Sequence, residues 1–152
     1  MPRQVEIELR GVAASAAGLV ASVTPGAAGA LTLLVTALVP PSRLMLTVAA
    51  DEHTKTFAVV GFDRYGNAVA ETVTGPAAAG TAYSTYEYQT VTSITVSAAT
   101  TGAITWGWDN VFYTQWVPLD DYRTPFNVSF GVIVFGTVNY TVQHTRQKYL
   151  MS

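Results

Sequence analysis

A chain of 152 residues with two histidines and no cysteine has few groups able to do chemistry. A histidine works as a general base or metal ligand when a second group orients it. His53 and His144 lie far apart in the sequence, and His144 closes an alternating, strand-like run where a satisfied or exposed imidazole is expected. The adjacent carboxylates of Asp120 and Asp121, in PLDDYRTP, are hard oxygen donors. A calcium loop needs several such donors spaced along a turn, so this pair reads instead as a solvated turn bounded by proline. Ser84, Ser93 and Ser129 stand in strand contexts without a G-x-S-x-G elbow, and no glycine-rich loop joins a strand to a helix to cradle phosphate. The reading is no enzyme, with no catalytic residue, no metal site and no cofactor.

Composition narrows the partners. Only 12% of the residues are charged and the formal net charge is −2, whereas an ordinary soluble domain carries about 25% charged residues. Such a surface lacks the single-sign field that attracts phosphates, and the eight Lys and Arg residues are scattered, so direct nucleic-acid binding is not expected. No charged residue occurs from Gly11 to Ser42, but Pro25, Gly26, Gly29, Pro40 and Pro41 interrupt that stretch. Its longest apolar piece, LTLLVTALV, is too short to span a bilayer, and no membrane partner is expected. The opening MPRQVEIELRG alternates Val5, Ile7 and Leu9 with Glu6 and Glu8, which reads as a strand and not as a signal peptide. Without disulfides, stability has to come from packing or assembly.

The elements that must position any site are strands. TFAVVGF and AVAETVT flank the turn DRYGN, where Gly66 and Asn67 suit a tight reversal, and TVTSITV follows. Short runs of this kind, separated by turn signals, are predicted at 4–9, 31–38, 43–49, 56–62, 68–74, 83–89, 91–98, 103–108, 126–134 and 137–145. The fold class is all-β, an antiparallel β-sandwich of jelly-roll or immunoglobulin-like (Ig-like) type with about eight to ten strands. One domain is expected, in which 1–42 supplies an N-terminal strand plus an Ala/Gly-rich arm or loop and 43–152 forms the sandwich body. GVAASAAGLVASV shows no period of 3.6 and contains Gly11 and Gly18, so it reads as a loop or extended arm.

Two hairpins differ in regularity. In FNVSFGVIV and TVNYTVQHT, Phe126, Val128, Phe130, Val132 and Val134 share one face, as do Val138, Tyr140 and Val142. Ile133 and Phe135 add apolar groups to the other side, which fits either two-sided burial or contact with a neighbour. In the earlier hairpin Glu71 falls in phase with Val69 and Val73, while Ala68, Ala70, Thr72 and Thr74 line the opposite face. A bulge that shifts the phase, or an edge strand defended by a charge, accounts for that placement, and the small-residue face suits close contact with another protein.

Aromatic residues crowd ITWGWDNVFYTQWVPLDDYRTPF. Trp106 and Trp108 share parity within a strand and are assigned to the core. Trp116, Pro118, Leu119 and Tyr122 lie in a connection, where large apolar groups are hidden less readily by their own domain and serve interfaces. With Leu19 and Val20 of the arm, they form the candidate partner interface. A carbohydrate platform is the competing use for exposed Trp and Tyr.

The order and spacing of FAVVGFDRYGNAVAETVTGP, YQTVTSITVSAATTGAITWG and WVPLDDYRTPFNVSFGVIVFGTVNYTVQHT resemble a group of small tailed-bacteriophage virion proteins, over roughly residues 44–145. The resemblance implies an all-β structural protein of the particle, with the capsid surface as its location after synthesis in the host cytoplasm. Its expected role is capsid decoration, or cementing, between subunits of the major capsid protein, with other virion proteins and further copies of itself as partners. A head-tail connector or tail component, or a glycan- or receptor-binding virion module, is the alternative.

Overall fold

In TFAVVGF, Phe57, Val59 and Gly61 are buried while Ala58, Val60 and Phe62 are exposed, which is the period of two that a strand imposes on its side chains. The same rule holds from Ser42 to Val48, where Ser42, Leu44, Leu46 and Val48 all point inward. A computed structural model of the protein describes residues 11–111, 113 and 139–142. Two compact units divide the chain, Met1–Val117 and Pro118–Ser152, a boundary inside the stretch that the sequence assigns to one sandwich body.

Among the described residues of the first unit all regular structure is β: β1 (Ser15–Val23), β2 (Gly29–Ala30), β3 (Ala37–Val48), β4 (Thr56–Phe62), β5 (Ala68–Thr74), β6 (Gly80–Val96) and β7 (Ile104–Trp108). Every pairing is antiparallel, in the order β1-β7-β3-β6-β4-β5 with β2 on β6. The all-β antiparallel fold read from the sequence is therefore the fold of the described residues. Five of these strands, β3 to β7, fall on predicted ones, β1 and β2 are not predicted, and the predicted strands at 4–9 and 126–134 lie outside the described residues. So does most of 137–145, whose residues 139–142 are exposed and belong to no strand.

One long strand makes the sheet double over. The sequence predicts separate strands at 83–89 and 91–98, yet β6 runs through both without a break. Its first half pairs with β3 and its second half with β4. Two irregularities let it change direction. Tyr83 faces Met45 and Glu87 faces Arg43, so four steps on β6 match two on β3. Ser93 faces Val60 and Val91 faces Gly61, so two steps match one. Such bulges bend a strand and increase its twist. The result is visible in the core, where Phe57 of β4 and Trp106 of β7 meet edge to face with ring centroids 5.8 Å apart. In a flat sheet those strands, three places apart in the order, would be about 14 Å apart. The two halves of the sheet therefore face each other in sandwich-like fashion, enclosing Leu44, Leu46, Val59, Ile94 and Ile104.

Two further sequence expectations change. Residues 15–23, read as a loop or arm, form β1 on the edge beside β7. The reason is the fit of small residues: a Cβ on Gly18 would lie 2.4 Å from Trp108, and one on Gly107 would lie 1.6 Å from the Ser15 carbonyl oxygen. The predicted strand at 31–38 is instead a connection tied by single hydrogen bonds, with Leu31 N–H donating to Ile94 O and Leu34 N–H to Leu19 O. β3 begins only at Ala37. In the β4–β5 turn, Gly66 has φ +81° and is the one described residue of positive φ. Asn67 needs no such conformation, because Asp63 Oδ1 accepts from the N–H groups of Tyr65 and Asn67 at 2.8 and 2.9 Å.

Candidate interaction face

The outward surface of the β5–β4–β6 half is built from cross-strand rows. Thr72, Ala58 and Thr95 stand side by side, then Ala70, Val60 and Ser93, then Ala68, Phe62 and Thr90. Ala30 of β2 extends the first row beyond Thr95. None of these residues carries a charge. Val60 and Phe62 are 41% and 43% exposed, so apolar groups stand in water at the centre of the face. Alternation explains their position, since each outward residue lies between inward Phe57, Val59 and Gly61. The opposite half carries Arg43 on its outer side, held over the Tyr83 ring at 4.3 Å. Its guanidinium Nε donates to Asp109 Oδ2 at 2.8 Å.

Glu71 is what keeps this face free of charge. The β4–β5 ladder has unbroken register, so no bulge turns Glu71 outward. It points to the inner side and reaches the bulge of β6, where its Oε2 accepts from Thr85 N–H at 2.7 Å and its Oε1 from the Tyr88 hydroxyl at 2.9 Å. Burial, followed by this carboxylate, pushes the Tyr88 phenol upward. The sequence alternatives were a bulge or an edge charge. β5 is the edge strand of the sheet, as the edge alternative has it, while the bulge lies on β6, which does not pair with β5, and the charge satisfies it. Ser84 completes that bulge by accepting from Leu44 N–H and donating to Tyr86 O, both at 2.8 Å.

A second cluster lies beside the rim of the face. Arg64 pairs with Glu87, and together they hold the backbone of Tyr113: Arg64 Nη1 donates to its carbonyl oxygen at 2.6 Å and Glu87 Oε1 accepts from its N–H at 3.2 Å. Burial raises the Glu87 carboxyl above its ordinary value of 4.5, and Arg64 opposes the rise. Tyr65, Tyr86 and Tyr113 are exposed around an open concavity of about 630 Å³. Arg64 and Glu87 pair with each other and Asp63 accepts from Asn67, so the exposed tyrosine rings stand as its recognition groups.

The candidate partner interface is not assembled by the described residues. Leu19 and Val20 are buried in the core, at 0% and 2% exposure, because they pair beside Trp106 on β7. They are corrected from interface to core. Trp116, Pro118, Leu119 and Tyr122 lie outside the described residues, as do His144, Asp120, Asp121 and Ser129. Trp106 is fully buried, as expected, whereas Trp108 is only partly buried and donates its indole N–H to Ala13 O at 3.1 Å. His53 is exposed in a turn, its Nδ1 2.6 Å from Asp51 Oδ1. The backbone N–H of His53, and then its imidazole, hold the Asp51 carboxyl below its ordinary value. Among the described residues no three His, Asp or Glu side chains come together as a metal site.

The sequence had no signal for Glu52. It is fully buried, and its Oε1 accepts from the N–H groups of Thr101 and Gly102 at 2.6 and 2.7 Å. Its own N–H donates to Pro76 O, and its carbonyl accepts from Lys55 N–H. One residue thus ties the β3–β4, β5–β6 and β6–β7 connections. Comparisons of the chain with protein-family models, with curated proteins and with solved structures find no match.

Proposed function

We propose that the chain is a structural protein of a tailed-bacteriophage virion that decorates the capsid, binding between subunits of the shell without turnover. The observation that carries this reading is the charge-free, partly apolar outer face of β4, β5 and β6, set on a sheet that its own core already stabilises. Exposed apolar surface of this kind marks interaction sites. The sequence resemblance to small virion proteins supplies the setting, and the low charge of the chain fits a surface that works by packing against protein. Repetition over a lattice turns a modest contact into strong retention, because each later contact forms at high effective concentration.

A glycan-binding virion module is the second reading, and the concavity with Tyr65, Tyr86 and Tyr113 at its mouth favours it. Aromatic faces stack on sugar rings, and hydroxyls bond to their substituents. Quantitative mass spectrometry of purified particles separates the readings. A decoration protein approaches the copy number of the shell protein, whereas connector or receptor-binding components occur in a few ring multiples. Absence of the chain from purified particles overturns the virion assignment.

A further inference from the structure

We infer that the concavity rimmed by Tyr65, Tyr86 and Tyr113 binds an uncharged glycan, and that three carboxylates, those of Asp63, Glu71 and Glu87, position these tyrosines for it. The inference rests on the glycan reading of that concavity and adds the class of sugar and the residues that set it. The three tyrosines come from separate places in the chain, the β4–β5 turn, β6 and the segment after β7. In each, the backbone N–H donates to a carboxylate oxygen: Tyr65 to Asp63 Oδ1 at 2.8 Å, Tyr86 to Glu71 Oε1 at 3.4 Å and Tyr113 to Glu87 Oε1 at 3.2 Å. Two of the carbonyls are held as well, that of Tyr86 by the Ser84 hydroxyl at 2.8 Å and that of Tyr113 by Arg64 Nη1 at 2.6 Å. The residues are nonetheless 60%, 51% and 56% exposed. Tyrosines left in water on a backbone fixed in this way form a preorganised platform, because little ordering remains to be done when a ligand arrives.

The same bonds decide what the platform can take. An extended peptide adding a strand to β6 here would need the N–H groups of Thr85 and Tyr86, and Glu71 already accepts from both. An anionic ligand is held by unpaired cations. Among the described residues lining the concavity, the charged groups are the carboxylates of Asp63 and Glu87 and the guanidinium of Arg64, which is itself paired with Glu87. A neutral sugar asks for neither a strand edge nor a cation. Its C–H groups pack on the negative face of an aromatic ring, and its hydroxyls donate to a carboxylate such as Asp63. The concavity, at about 630 Å³, falls within the roughly 300–1,000 Å³ of small-ligand sites.

The test is titration calorimetry of the purified 152-residue chain with neutral oligosaccharides of glucan, galactan and mannan, and with the same backbones carrying uronate or sulfate. The neutral chains are expected to bind more tightly than their acidic counterparts. Tyr65→Ala and Tyr86→Ala are each expected to weaken that binding about ten-fold at an unchanged melting temperature, since both side chains are exposed. Glu87→Ala is expected to weaken it by releasing Tyr113, and Glu87→Gln, which keeps an acceptor for the Tyr113 N–H, to restore most of it. Equal or tighter binding of the acidic chains overturns the uncharged class and leaves the glycan reading standing. Affinity unchanged in both tyrosine variants overturns the concavity as the site, again with glycan binding intact. Unchanged affinity in Glu87→Ala, or a Glu87→Gln that binds no better than the alanine variant, overturns the positioning role. Binding of none of these sugars overturns the inference and the glycan reading together.

Discussion

Glu52 shows how one carboxylate can govern a structure without doing chemistry. Its Oε1 satisfies two backbone N–H groups in a turn that has no ladder partner for them, and the side chain is wholly shielded from water. Leaving buried donors unpaired costs their full desolvation. Glu52→Ala is therefore expected to lower stability by about 2–4 kcal/mol, measured from urea unfolding midpoints. Glu52→Gln, which keeps an acceptor at the same place, is expected to lose less than half of that. A loss no larger for alanine than for glutamine would show that the two N–H groups find other partners. Nothing in AADEHTK distinguishes Glu52 from its exposed neighbour Asp51, because the difference is made by Thr101 and Gly102, which arrive from a distant turn. Glu71 is similar. Its phase was visible, but its partners sit on β6 and its reason was not.

At the scale of elements, local pattern and tertiary fit divide the strands between them. β4 and β5 match the sequence expectation to the residue, since Val, Thr and Phe alternate there with inward and outward demands. β1 does not advertise itself, being made of Ala, Ser and Gly with only Leu19, Val20 and Val23 as larger apolar residues. It becomes a strand because Gly107 lets the Ser15 carbonyl approach and Gly18 leaves room for the Trp108 ring. Gly107→Ala is expected to push β1 from β7 and to lower stability by about 1–3 kcal/mol, since the obstructing atom is backbone and cannot rotate away. Gly26→Ala is the control, because a Cβ there meets nothing within 4 Å. Equal melting temperatures for the two variants would contradict the account. Most of the long β6 is legible as strand, from Tyr83 onward, but not as one piece. Its two bulges depend on where β3 and β4 pair, and no residue within it marks a break.

For the whole molecule, the described core runs from Leu19 to Trp106 and so lies entirely in the first unit. A fragment of residues 1–117 is accordingly expected to fold on its own and to unfold cooperatively in urea, with the far-ultraviolet circular dichroism of an antiparallel sheet. A broad, non-cooperative transition would show that the second unit is needed for the first to fold. By itself the sequence determined the all-β class, the low charge of the surface, the burial of Trp106 and the small-residue face of β5. These follow from composition and from a backbone period of two, which act over a few neighbouring residues. Only the tertiary structure decided that residues 15–23 join the sheet, that Leu19 and Val20 are core, that Glu71 turns inward, and that Ala58, Val60 and Phe62 complete one charge-free surface. Each of those depends on contacts between residues far apart in the chain, where shape and hydrogen-bond satisfaction are settled by what arrives from the other strand.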